Sequence, residues 1–326
     1  MRILVIGAGA LGSLVGGILS ANHEVTILGR PEQAWVLEHK GLRIEGLTQG
    51  DFHPRAIAGI PRDGNFDLII MCVKAYNTEM TLEPISHLFR PGTSILSLQN
   101  GLDNEERILR FLQKRSLPGE VIGGITCHGV TYKGPGLVRH AGTGDTIIGH
   151  FGSVGIDMDA DKKVQEVALA FKEAGLELQT TSSIVREIWA KTIINSAINP
   201  LTAIVGERNG VILKNPDLNR MARDLVIEGV KVANAHGIDL TEDEMLDRTL
   251  KVAERTQNNI SSMFQDIKRK RRTEVDSING AICMKAEEVD MDAPLNRTML
   301  HLIKGLEERS LDQGPPRRTY QPSVPG

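Results

Sequence analysis

The apolar run Ile3, Leu4, Val5, Ile6, followed at once by GAGALG at 7–12, constrains this chain more than anything after it. Four apolar residues in succession suit a strand buried on both faces. The GxGxxG spacing then marks a tight turn into a helix, with Gly7 serving the turn, Gly9 admitting close backbone approach and Gly12 allowing tight helix–strand packing. A helix from Ala10 to about Ala21 would aim its free N–H groups and positive dipole end at phosphate. Residues 24–28 (EVTIL) supply a second strand. The unit predicts a dinucleotide-binding start in which Gly7, Ala8, Gly9, Ala10, Leu11 and Gly12 hold the pyrophosphate.

Two other readings of this stretch compete with that one. Residues 3–22 carry no charge and follow Arg2, as a signal peptide or membrane span would. Five glycines among them make a poor hydrophobic helix, and a strand pattern follows directly. The second strand ends Leu28, Gly29, Arg30, where an enzyme for NAD usually places Asp or Glu for the ribose 2'-hydroxyl. A guanidinium at Arg30 can pair with a 2'-phosphate in bidentate fashion, which predicts NADP(H). The plainer alternative makes Arg30 a solvated charge before Pro31.

At 326 residues and 40% hydrophobic content, two domains with real cores are expected. A net charge of −3 and 4% aromatic residues give no footing for nucleic acid or an anionic membrane. Cys72, Cys127 and Cys283 are scattered, without disulfide or metal-ligand spacing, so a reduced, cytoplasmic chain with no metal is expected. The fold class predicted is α/β, a Rossmann-type dinucleotide-binding domain over 1–182 followed by an all-helical C-terminal domain over 183–308. In the first, a helix over 31–40 precedes a surface hairpin region over 42–57; strands are expected at 67–73, 93–98, 121–124, 127–132, 137–140 and 146–150, the last four extending the sheet. Helices at 104–113 and 159–174 and a last strand at 176–179 complete it. The second domain reads as helices at 184–205, 216–236, 241–258, 260–270, 273–289 and 295–308, and the Pro-rich 309–326 as a disordered tail.

In an open α/β sheet ligands bind beyond the carboxyl ends of the strands, which singles out Lys74 after 67–73 and Asn100 after 93–98. Asn100–Gly101 also reads as a simple turn. In the apolar helix at 184–205, Lys191, Asn195 and Asn199 recur at i, i+4, i+8 and stay within roughly 80° of arc. Burying an unpaired ammonium costs several kcal/mol, so the stripe should line a cleft, or else form a hydrogen-bonded interhelical seam. An ammonium there suits ketone reduction, because the oxygen gains charge as hydride arrives and must then receive a proton. Asn195 and Asn199 suit a hydroxylated substrate. Asn209 before Gly210 reads as a turn. Ser262 and Asp266 lie one turn apart, the cations 268–272 form a solvated face or a partner for the 2'-phosphate region, and Glu274 can pair with Lys191 or a substrate hydroxyl, or else favour a helix start.

GAGALG, VKAYNT at 73–78, QNG at 99–101, K-x-x-x-N-x-x-x-N-P-L-T-A at 191–203 and R-x-T-E-V-D-x-I-N-G at 271–280 together resemble the ketopantoate reductase (2-dehydropantoate 2-reductase) family. The resemblance implies NADPH-dependent reduction of 2-dehydropantoate to pantoate, towards pantothenate and coenzyme A, in a cleft between a Rossmann domain and a helical domain. It implies Lys191 as the catalytic lysine and Glu274 as a carboxylate in substrate binding and catalysis. Asn100, Asn195, Asn199 and Ser262 match substrate-contacting positions, with Asn209 as a weaker match since Gly206, Glu207 and Arg208 depart from the pattern. Lys74 and Asn100 match positions near the cofactor and Arg30 the residue facing the 2'-phosphate. The expected partner is a small 2-oxo acid, with no nucleic acid and no membrane, and a homodimer is left open. The competing readings are a reductase of another 2-oxo acid and a non-catalytic NADP(H) sensor.

Overall fold

The computed structural model describes residues 1–152 and 158–312. In the first half the chain forms β1 (Arg2–Ile6), α1 (Ala10–Leu19), β2 (Glu24–Leu28), α2 (Pro31–Lys40), β3 (Leu42–Gly46), β4 (Gly50–Phe52), β5 (Arg55–Ile57), β6 (Leu68–Met71), α3 (Thr78–Leu82), β7 (Ser94–Ser97) and α4 (Asn104–Arg115). It continues through β8 (Glu120–Thr126), β9 (Gly129–Gly134), β10 (Leu137–Gly142), β11 (Thr146–His150), α5 (Met158–Glu173) and β12 (Gln179–Thr180). Helices follow: α6 (Ile184–Val205), α7 (Val211–Lys214), α8 (Pro216–Ala235), α9 (Glu242–Arg255), α10 (Ser262–Lys268), α11 (Asn279–Glu287) and α12 (Pro294–Asp312). Two compact units result: Met1–Ile193 with Ala233–Thr241, and Ile194–Val232 with the chain from Glu242 onward.

The first unit carries an eight-stranded sheet in the order β12-β11-β8-β7-β6-β1-β2-β5. From β5 to β8 this is the doubly wound order in which the chain first runs one way from β1 and then the other, so the switch falls between β1 and β6. All pairs are parallel except β8 with β11. Ile6 lies opposite Met71, which brings the ends of β1 and β6 level.

The strands at 42–57 and 127–140 behave differently from the sequence reading. β3 and β4 do form a hairpin, but β5 leaves it to pair with β2, and β9 and β10 join β3 and β4 in a separate four-stranded sheet, β4-β3-β10-β9. Nor is this region merely surface, since Leu42 and Ile44 are buried against α1. The uncharged α1 is thus clasped on two sides. A Cβ on Gly16 would lie 2.8 Å from Ile27 Cδ1 in the large sheet, and one on Gly17 would lie 2.7 Å from Leu42 Cδ2 in the small one. Glycines that look wrong for a helix by propensity are here required by packing.

The end of α8 and the loop after it belong to the first unit through α6. Trp189 meets His236 with ring centroids 5.8 Å apart, and Arg186 Nε donates to the Asp239 carbonyl at 2.9 Å. Among the described residues no helix is long and apolar enough to cross a membrane.

In the second unit the point of interest is Pro200 inside α6. Proline has no N–H to give the Ser196 carbonyl its helical partner. Asn279 fills that role, its Nδ2 donating to Ser196 O at 3.0 Å and to Asn296 Oδ1 at 2.9 Å. Asn296 in turn donates to Glu228, whose carboxylate accepts from the Leu295 and Asn296 N–H groups at the start of α12.

The expected helix at 273–289 is interrupted: 274–278 is a turn, and α11 begins only at Asn279. Thr273 Oγ1 accepts from Val275 N, Glu307 accepts from Thr273 N, and the Glu274 carbonyl takes both Ser277 N and Ile278 N. The short α7 was not foreseen, and α12 runs to Asp312, beyond the expected end at 308. The rest of the tail, 313–326, lies outside the described residues.

Candidate functional site

The fingerprint loop sits at the switch point. Gly7 adopts φ +113°, where an L side chain is strained, and its N–H donates to Leu28 O at 2.9 Å, joining the ends of β1 and β2. A Cβ on Gly12 would lie 2.0 Å from Gly7 O, so only glycine lets α1 begin this close to the strand. A Cβ on Gly9 would meet nothing within 4 Å: that glycine leaves open space on the outer side of the turn. Gly9 is the N-cap of α1, with no side-chain capping bond and no acidic residue in the first turn. Such an N-terminus presents N–H groups and a positive dipole end, and fits a pyrophosphate. Ala8 is buried, with Ala10 and Leu11 half-buried at the start of the helix. Burial beneath this loop pushes the Cys72 thiol up to about 12, which keeps it an inert packing group.

Arg30 follows β2 as the exposed N-cap of α2. Its placement rests on Gln33, whose Oε1 accepts from Arg30 N at 3.1 Å and whose Nε2 donates to Ala8 O at 2.8 Å and to Tyr132 Oη at 3.1 Å. A Cβ on Gly29 would lie 2.7 Å from the Ala8 Cβ. The guanidinium-bearing turn is therefore tied to the phosphate-binding loop. The sequence reading missed Gln33, though its position three residues past the N-cap is the usual signal for a side chain that reaches back.

Lys74 and Asn100 stand past the carboxyl ends of β6 and β7, both half-buried. Gln99 links the two loops: its Nε2 donates to Val73 O at 3.0 Å and to Thr78 Oγ1 at 2.8 Å. Thr78 donates to Asn104 Oδ1, and Asn104 Nδ2 donates to Asn100 O at 2.8 Å. Asn100–Gly101 is thus a held bend leading into α4, and no hairpin follows it.

On α6, Lys191 and Asn195 are half-buried and Asn199 is buried. Lys191 falls in the part of the helix that belongs to the first unit, the two asparagines in the part that belongs to the second. Within the second unit, Thr202 Oγ1 donates to Ser261 Oγ at 2.8 Å, and Ser261 caps α10 by accepting from Phe264 N at 3.2 Å. This fixes the exposed Ser262 at the first position of α10, one turn from Asp266.

Asn209 is more than a turn residue. It is buried, its Nδ2 donates to Thr256 Oγ1 at 2.9 Å, and its Oδ1 has no hydrogen-bond partner among the described residues. Glu274 is buried in the turn before α11. The cations at 268–272 are dispersed by geometry: Lys268 stacks over Phe264, Lys270 takes a left-handed conformation, and Arg272 pairs with Asp276 at 3.1 Å.

Fold and fingerprint together define the class: a dinucleotide-binding α/β unit joined to a helical one. Residues 3–153 match the ketopantoate reductase PanE/ApbA family and residues 183–307 its C-terminal domain, and the chain belongs to that family. It is 42% identical over 310 residues to the 2-dehydropantoate 2-reductase of Pyrococcus horikoshii, covering 94% of this chain and 98% of that one. The crystal structure of a PanE/ApbA family ketopantoate reductase from Ralstonia eutropha JMP134 superposes with a TM-score of 0.84 at 30% identity, over 95% of this chain and 99% of that one. D-mandelate dehydrogenase, solved with NADH and anilino(oxo)acetate, gives a TM-score of 0.87 at 27% identity, over 95% of this chain and 99% of that one.

Proposed function

We propose that the protein reduces 2-dehydropantoate to pantoate with NADPH, in the supply of pantothenate and coenzyme A. The observation that carries this reading is the 42% identity, along almost the whole of both chains, to a 2-dehydropantoate 2-reductase. When bound, the reduced nicotinamide supplies the hydride. Gly7 to Gly12 would receive the pyrophosphate on backbone N–H groups, Arg30 would pair with the 2'-phosphate, and Lys74 and Asn100, past the neighbouring strand ends, would help to hold the cofactor. Lys191 acts as general acid, giving its proton to the carbonyl oxygen as that oxygen becomes an alkoxide. Asn100, Asn195, Asn199, Asn209 and Ser262 hold the substrate, and Glu274 binds it and assists the proton transfer. We place the enzyme in the cytoplasm, in keeping with three free cysteines. The mass of the protein in solution tests a homodimer.

The test is NADPH oxidation with 2-dehydropantoate, repeated with NADH. Lys191→Ala should lower kcat by about 10²–10⁴-fold while NADPH still binds. Wild-type turnover in that variant would remove Lys191 from the mechanism. A second reading, reduction of another 2-oxo acid, is favoured by the likeness to D-mandelate dehydrogenase. Ranking 2-oxo acids, aromatic ones included, by kcat/KM separates the two. Cofactor binding without turnover on any of them would instead mark a sensor.

A further inference from the structure

Glu105 is a carboxylate that the fingerprint and the polar stripe leave unexplained. It stands in the first turn of α4, 1% exposed, and its Oε2 has no hydrogen-bond partner among the described residues. Its position is set by β8 and α6. A Cβ on Gly123 would lie 3.5 Å from Glu105 Cγ, 3.1 Å from Ile184 Cγ1 and 3.2 Å from Ile188 Cδ1. Gly123 thus leaves room for the carboxyl arm beside α6. Ile184, Ile188 and Lys191 follow one another there at i, i+4 and i+7, on one face of the helix.

The groups acting on the carboxyl are few. Ser97, at the end of β7, and the Glu105 backbone N–H lie where they favour the carboxylate, although Ser97 Oγ makes no hydrogen bond among the described residues. Asp103 and Lys191 are the charges that reach it, and Asp103 is itself ion-paired with Arg107. β7 and β8 contribute Ser97 and Gly123 there, neither charged. Burial pushes the carboxyl up to about 7; Ser97 and the backbone N–H pull it down, Asp103 raises it and Lys191 lowers it. Coupling of this kind is reciprocal: if the ammonium favours the carboxylate, the carboxylate favours the ammonium equally.

We infer that Glu105 is a positioning residue for the reduction, its carboxylate keeping Lys191 in the ammonium form that the reaction consumes. This rests on Lys191 being the acid. Buried at the start of α4, Glu105 acts through Lys191 and not on the reacting atoms. After Lys191 has given its proton to the alkoxide, the neutral amine takes a proton from water, and the nearby negative charge makes that return more favourable.

The sign follows directly. Reduction needs the protonated lysine, so activity falls on the alkaline side as that proton is lost. Above about pH 7 Glu105 is increasingly the carboxylate, so its support for the ammonium grows as pH rises towards the alkaline side. Replacing it with a neutral isostere moves that limb to lower pH, by up to about one unit.

The experiment is kcat against pH for wild type, Glu105→Gln, Glu105→Asp and Lys191→Ala. We expect the limb to fall by up to about one unit in Glu105→Gln and to return part of the way in Glu105→Asp. A lower kcat at every pH with the limb unmoved would make Glu105 structural and overturn the inference. Should Glu105→Gln not fold, an unmoved limb in Glu105→Asp overturns it equally. Wild-type turnover in Lys191→Ala defeats the Lys191 reading and this inference together, whereas an inactive Lys191→Ala beside an unmoved Glu105→Gln limb defeats this inference alone.

Discussion

The phosphate-binding loop and helix α6 prepare their chemistry by opposite means. At Gly7–Gly12 the chain is shaped by side chains that are missing: one Cβ at Gly12 would stand 2.0 Å from a carbonyl oxygen. Along α6 it is shaped by polar groups set into an oily helix and by a proline whose lost hydrogen bond another segment must supply. The first arrangement rests on close backbone approach, Gly12 against Gly7 O, with Leu28 and Cys72 of the neighbouring strand ends packed around it. The second depends on partners far along the chain, since Asn279 answers Ser196 across 83 positions. A site built from local backbone sterics tolerates almost no added atom; one built from distant polar partners fails when a single partner is withdrawn.

The sharpest way to break the local arrangement is Gly12→Val. Its branched side chain must occupy space already filled by Gly7 O and Cys72 Cβ, which would lie 2.0 and 3.1 Å from the first added carbon. Neither can move freely, one being backbone and the other packed beneath the loop. We expect a loss of about 3 kcal/mol or more in unfolding free energy, and the disappearance of measurable cofactor binding in titration. Gly9→Ala is the contrast, because its Cβ meets nothing in the protein. It should leave thermal stability almost unchanged while weakening cofactor binding, and equal stability losses in the two variants would refute the division of roles between these glycines.

Asn279→Ala tests the distant arrangement. It leaves the Ser196 carbonyl and Asn296 Oδ1 without their donor in a fully buried place, at a cost of about 1–3 kcal/mol for each group left unmade. Chemical denaturation should show a loss of about 2–4 kcal/mol, with cofactor affinity in the first unit near wild type. The same pair of residues shows why legibility was uneven. β2, α2 and α6 are read from sequence to the residue because strand alternation, Pro31 at a helix start and a long apolar run are local signals. Nothing local announces that β3, β4, β9 and β10 leave the main sheet, since a strand pattern does not name its partner. Nor does it announce the turn at 274–278, where Glu307, far along the chain, accepts from Thr273 N just before it. At the site, the glycines, Arg30, Lys74 and Lys191 stand out by spacing. Thr78 and Glu105 do not, because their roles exist only once β-α loops distant in sequence are side by side; for Gln33 the spacing announces the bond to Arg30 N but not the one to Ala8.

Arg30→Ala sharpens the comparison at the smallest scale. Arg30 is exposed and held by its backbone, through Gln33 Oε1 at 3.1 Å, so its side chain contributes little to the fold. Removing it should shift the thermal midpoint hardly at all, because exposed charges away from a packed core usually change stability by less than about 0.5 kcal/mol. A charge-assisted bond to a 2'-phosphate is worth about 1.5–3 kcal/mol, so NADPH affinity should fall roughly 10- to 150-fold. NADH, which lacks that phosphate, should bind as before. The readout is therefore a ratio of two dissociation constants in one variant, immune to any general damage. An equal fall for both cofactors would assign Arg30 to the loop's architecture, and an unchanged ratio with both affinities intact would return it to the role of a solvated charge. Gln33→Ala, which loosens the tie between Arg30 and Ala8 without removing the guanidinium, should move the same ratio in the same direction by a smaller factor.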